Sequence, residues 1–93
     1  MEHRRSDPAG LALKLKAWRL RAGLTIPELI CELATAYGIE RTRQNIYQHE
    51  KGLRIPGPGT LGGYCRVYNL NTTEARELYE LAGLVVLFAV EEG

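Results

Sequence analysis

The chain has 93 residues, 45% of them hydrophobic and 25% charged, with a net charge of +1. That composition describes one small globular domain and excludes disordered and fibrous classes. The longest apolar run, Leu84 to Val90, has seven residues, far short of the ~18 a membrane span needs. No signal-type apolar segment follows Met-Glu-His-Arg-Arg-Ser-Asp-Pro, so the expected compartment is the cytoplasm, with no membrane partner.

Asp7-Pro8 is a helix start, an N-cap followed by proline at the first helical position. Leu11, Leu15, Trp18 and Ala22 then recur at helical spacing, and Gly23 ends the run. Thr25-Ile26-Pro27-Glu28 reads as a Thr-x-x-Glu capping box. The helix it opens places Ile26, Leu29, Leu33 and Tyr37 on one face and stops at Gly38. Thr42 is positioned to cap a third helix, which Gly52 closes. Residues 55–59, Ile-Pro-Gly-Pro-Gly, predict a turn. A fourth helix follows with Leu61, Tyr64, Cys65 and Tyr68 facing inward. Asn71-Thr72-Thr73-Glu74 caps a fifth, whose inner face is Ala75, Leu78, Tyr79 and Ala82, and Gly83 stops it. The expected fold class is therefore all-α, a compact five-helix domain over residues 9–83, with an N-terminal arm over 1–8 and a C-terminal tail over 84–93.

That tail, Leu-Val-Val-Leu-Phe-Ala-Val-Glu-Glu-Gly, is compatible with a strand or a helix. A lone strand would leave its backbone groups unpaired, and a helix apolar all round exceeds what one small domain buries. Either way Leu84, Val85, Val86, Leu87, Phe88 and Val90 are expected to contact a second copy of the chain, giving a homodimer.

The segment from Arg43 to Gly52, Arg-Gln-Asn-Ile-Tyr-Gln-His-Glu-Lys-Gly, carries the clearest chemistry. Three- and four-residue spacing groups Arg43, Gln44 and Gln48 on one face, opposite the buried-type positions Ile46 and His49. Arginine and glutamine are the side chains whose paired polar groups match guanine and adenine edges in the major groove. A helix that needed only solubility would carry Lys and Glu instead. Charge distribution agrees: residues 1–54 hold ten of the twelve Lys and Arg against six of the eleven Asp and Glu. Residues 55–93 hold two against five, so the two parts carry +4 and −3.

Catalytic and metal chemistry are poorly served. Cys31 and Cys65 stand far apart, with His3 and His49 as the remaining zinc-type ligands, and are expected to be buried free thiols. His49 is expected to pack half-buried beneath the third helix. No nucleophile–base pair and no glycine-rich phosphate loop with its lysine is present. Neither an enzyme, a cofactor, a metal nor a small-molecule substrate is expected.

In order along the chain, Leu15, Trp18, residues 19–25 (Arg-Leu-Arg-Ala-Gly-Leu-Thr), Glu32-Leu33-Ala34, Tyr37-Gly38-Ile39, Ile46, Glu50-Lys51-Gly52, Pro56, Leu61 and Leu81-Ala82-Gly83-Leu84 make a pattern. Over roughly residues 11–83 this resembles the Cro and phage-repressor (XRE-type) helix-turn-helix family. The resemblance implies that helices two and three form the DNA-binding unit, with the third entering the major groove. Its base-reading places fall on Arg43, Gln44 and Gln48, with Tyr47 beside them. Phosphate contacts are expected from Lys51 and Arg54 after the helix, from Arg41 and Thr42 before it, and from Thr25. The family's ion pair between the first helix and the end of the recognition helix falls on Arg19 and Glu50. Two departures stand out. The second helix, from Thr25 to Gly38, is four residues longer than the family's, and the stretch from Gly38 to Gly52 about two longer; and Ile26 occupies the place of a phosphate-contacting glutamine.

The function these readings imply is a sequence-specific, double-stranded-DNA-binding transcription regulator, a repressor acting as a homodimer on a palindromic operator. An antitoxin-type autorepressor, whose tail would engage a toxin, is a close variant. A protein-interaction adaptor that keeps the fold without reading DNA is the alternative from another class.

Overall fold

The structure is a computed structural model that describes residues 6–84. Among these residues there are five α-helices and no strand: α1 (Pro8–Arg21), α2 (Ile26–Tyr37), α3 (Arg43–Glu50), α4 (Pro58–Val67) and α5 (Thr72–Leu81). None of them is long and apolar enough to cross a membrane.

Helix starts follow local cap chemistry. Asp7 Oδ1 accepts from the Gly10 N–H at 3.1 Å, with Pro8 at the first helical position. Thr25 and Glu28 form a reciprocal capping box at α2, and Asn71 and Glu74 form one at α5. At α3 the partner is Asn45, whose Oδ1 accepts from the Thr42 N–H at 3.0 Å while Thr42 Oγ1 accepts from the Asn45 N–H at 3.1 Å. Gly52 ends α3 in the left-handed region (φ 76°), which lets the Leu53 N–H reach back to the Gln48 carbonyl at 2.9 Å.

The core joins Leu11, Leu15 and Trp18 of α1 to Leu29 and Leu33 of α2, Ile46 of α3, Leu61 and Tyr64 of α4, Tyr68, Leu78 of α5 and Ala82. α1 packs on α3 and α5, α4 packs on α2 and α5, and α3 also rests on α2. Each fully buried aliphatic or aromatic side chain contributes about 1.5–3 kcal/mol of transfer free energy. This matters most for α3, whose eight residues are too few to be helical alone. Ile46, fully buried, and His49 hold it down. The α2–α4 contact is close because Gly63 has no side chain: a Cβ there would stand 2.5 Å from Ile39 Cδ1 and 2.9 Å from Leu33 Cδ2.

Several expectations need correction. Cys31 is exposed rather than buried, because it lies two residues, some 200° of helix, from both Leu29 and Leu33. Cys65 is half-buried, and burial pushes its thiol up to about 11. Tyr37 is 39% exposed at the end of α2, where its ring lies 5.7 Å from the Arg66 guanidinium instead of in the core. Ala22 is the exposed C-cap of α1, past the last turn that faces inward. The turn ahead of α4 ends at Gly57, because Pro58 fits the first helical position. Residues 6–8 are not a free arm either. The Asp7 N–H bonds to the Leu81 carbonyl at 2.7 Å, so the start of α1 is tied to the end of α5. At the other boundary the Leu84 N–H bonds to the Tyr79 carbonyl at 3.0 Å, and Leu84 packs against the core. Leu84 is thereby part of the domain; Val85, Val86, Leu87, Phe88 and Val90 lie outside the described residues.

Candidate functional site

α3 turns two of its eight residues fully inward and three outward. Ile46 and His49 are buried, while Arg43, Gln44 and Tyr47 are exposed. Thr42, Arg43, Gln44 and Tyr47 together line an open recess of 440 Å³ at the start of the helix. Gln48 is half-buried and does not line it, so the outer face is centred on Tyr47, 51% exposed, rather than on Gln48. Lys51, the C-cap, lies with its ammonium 5.5 Å from the Tyr47 ring centre. The face therefore offers a guanidinium, an amide and an amphipathic ring within one turn of each other. Such a set can donate to paired acceptors, accept from an amine and cover an apolar edge.

The cations expected to flank it divide into two kinds. Lys51 and Arg54 are exposed. Arg41 is exposed too, but its Nε donates to Thr60 Oγ1 at 3.0 Å and its Nη1 to the Glu40 carbonyl at 2.7 Å. Arg41 thus ties the turn before α3 to α4, and only part of its guanidinium remains for an outside partner. Thr42 and Thr25 are exposed, but each hydroxyl accepts a cap hydrogen bond, from Asn45 N–H and Glu28 N–H respectively.

Beneath the face, α3 is fixed by polar contacts as well as by Ile46. Arg19 of α1 donates from Nε to Glu50 Oε2 at 2.7 Å and from Nη2 to Glu50 Oε1 at 2.9 Å, a bidentate pair. Arg19 Nη1 also donates to the Leu24 carbonyl at 2.9 Å. The two side chains are 11% and 9% exposed, so their attraction is weighed against lost hydration. Such a pair fixes where the end of α3 sits more surely than it stabilises the fold. His49 Nδ1 lies 2.7 Å from Tyr64 Oη, and in the Nε2–H tautomer the tyrosine hydroxyl donates. Burial pushes the His49 imidazole down to about 4 from 6.5, assisted by the charges of Arg41 and Arg54 and opposed by Glu50. It is neutral near pH 7.

Sequence reasoning placed Ile46 and His49 on the buried side of α3 and Arg43 and Gln44 on the exposed one, but gave Gln48 the place that Tyr47 holds. It missed Thr60 as the partner of Arg41 and Tyr64 as the partner of His49. Neither carries a local signal, since the partners lie 19 and 15 residues away. The Thr42–Asn45 box was findable, because an amide three residues after a capping threonine can serve as glutamate or glutamine does. Among the described residues no group of three or more His, Cys, Asp and Glu is placed to hold a metal ion.

No family model, no curated protein and no solved structure matches this chain.

Proposed function

We propose that the chain is a sequence-specific DNA-binding regulator of the Cro and phage-repressor type, reading duplex DNA with α3 in the major groove. The observation that carries this reading is the outer face of α3. Arg43, Gln44 and Tyr47 stand exposed on a capped helix whose opposite side is sunk in the core. A helix held from below, with base-matching side chains turned out, meets the geometric demand of direct readout. Lys51 and Arg54 at its far end supply charge for phosphate without competing for base edges. An adaptor that reads no DNA has no need of Arg43 and Gln44 at the rim of one recess.

The mechanism is occupancy: a homodimer, joined through the apolar tail, covers an operator that overlaps a promoter. Selection of bound sequences from random duplex DNA tests the reading. A two-fold consensus with half-sites one helical turn apart, about 34 Å, is the expected result. Enrichment of no sequence over the starting pool would contradict it.

A further inference from the structure

The contacts beneath α3 differ in what they can fix. Ile46 is fully buried, and the dispersion contacts of such an apolar plug resist withdrawal of the helix while doing little against rotation about its own axis. Hydrogen bonds are directional and do resist it. Arg19–Glu50 anchors the last residue of α3, and Arg41–Thr60 anchors the turn before its first. The bond made from within the helix body to the core is His49 Nδ1 to Tyr64 Oη, 2.7 Å long, between side chains of residues 7% and 1% exposed. The two rings meet edge to face, 89° apart with centres separated by 5.9 Å. Tyr64 is itself held, stacked on Tyr68 at 5.6 Å and 3°.

We infer that His49 and Tyr64 are positioning residues that set the rotation of α3 about its axis, and with it the side chains offered to a duplex. This rests on the DNA-binding reading of α3. His49 lies two residues from Tyr47, some 200° around the helix, so any swing of the one carries the other the opposite way. At a side-chain radius of about 5–6 Å, a rotation of about 10° moves a contacting atom by about 1 Å. Productive polar contacts tolerate about 0.5 Å, so an error that packing barely registers is enough to spoil base readout. A leucine at 49 would be cheaper to bury than a histidine. What the polar pair adds is direction, not depth of burial.

Two variants separate this role from packing. Tyr64→Phe removes one oxygen, keeps the ring and leaves His49 Nδ1 buried without its partner. His49→Leu combined with Tyr64→Phe removes the orphaned group as well. Thermal melts, amide exchange across residues 43–49, and affinity for the selected and for a random duplex are measured on both. The double variant is expected to regain stability lost in Tyr64→Phe, because an apolar pair leaves nothing unsatisfied. Both variants are expected to lose up to about tenfold in affinity for the selected duplex, the worth of one hydrogen bond. Random-duplex affinity, set by phosphate contacts, should hold. Amides of α3 should exchange faster than in the wild type while those of α1 and α4 do not. An unchanged ratio of selected to random affinity in the double variant would overturn the inference. If the wild type prefers no duplex, the DNA-binding reading falls by itself; unaltered exchange in α3 would then overturn the positioning role separately.

Discussion

His49 shows how one residue couples burial, chemistry and pH. Unfolded, its imidazole takes up a proton near pH 6.5; folded, burial beside Arg41 and Arg54 lowers that to about 4. Between those values the unfolded chain binds more protons than the folded one, so stability falls as pH falls through the window. The contribution is fully present above 6.5 and lost by about 4. Melting temperature is expected to decline across that window in the wild type and to decline less in His49→Leu, which has no proton to take up. Parallel declines in the two proteins would show that the histidine is not held neutral by the fold. Tyr68 presents the complementary case. Its residue is 3% exposed and its hydroxyl has no hydrogen-bond partner among the described residues, so the ring serves the stack on Tyr64 and its oxygen is a cost.

At the scale of elements, what the sequence made legible was what is local. Thr25, Thr42 and Asn71 are caps because side chains and the N–H groups they satisfy lie within four residues of one another. Ile46 and His49 were recognisable as the inner side of α3 because they lie three residues apart on one face, while helical spacing separates them from Gln44 and Gln48. Periodicity finds the apolar stripe of a helix but not where the neighbouring helices stop. That is why Tyr37 and Ala22, at helix ends outside the core, were misplaced. The thiol of Cys31 was misread for a related reason: its residue type favours burial, yet its place on α2 decides. Partners distant in sequence, Thr60 for Arg41 and Tyr64 for His49, became visible only when α4 was set beside α3. The α2–α4 contact yields a prediction of its own. Gly63→Ala gains up to about 1 kcal/mol of helix propensity. It also drives a Cβ into Leu33 and Ile39, and overpacking costs about 1–3 kcal/mol. Leu33 is fully buried and has little room to move, so the cost prevails. A net loss of about 1 kcal/mol should lower the melting temperature of so small a domain by roughly 4–8 °C. A rise in melting temperature would mean that α2 and α4 are not packed this closely.

At the scale of the molecule, the charge asymmetry and the apolar tail bear on assembly. The first 54 residues carry +4 and the rest −3, and part of that difference is neutralised where α1 meets α5. Surface ion pairs such as Lys14–Glu77 and Arg21–Glu74 link α1 to α5, but exposed pairs of this kind are worth about 0–1 kcal/mol. Dimerisation through Val85 to Val90 is a proposal that truncation tests. Because Leu84 packs on the core, the chain should be cut after Leu84 rather than after Gly83. Sedimentation is expected to give a dimer for the full chain and a folded monomer for the truncated one. A full-length monomer at tens of micromolar would remove the dimer, and an unfolded truncation would assign the tail to the core. Whether α3 reads bases is decided by Arg43→Ala, measured against the selected duplex and against random duplex at the same salt concentration. Loss of a bidentate base contact should cost about 1–3 kcal/mol on the selected duplex, relax preference at one or two base pairs of each half-site and leave random binding almost intact. Equal weakening on both duplexes would contradict it, making Arg43 a phosphate contact.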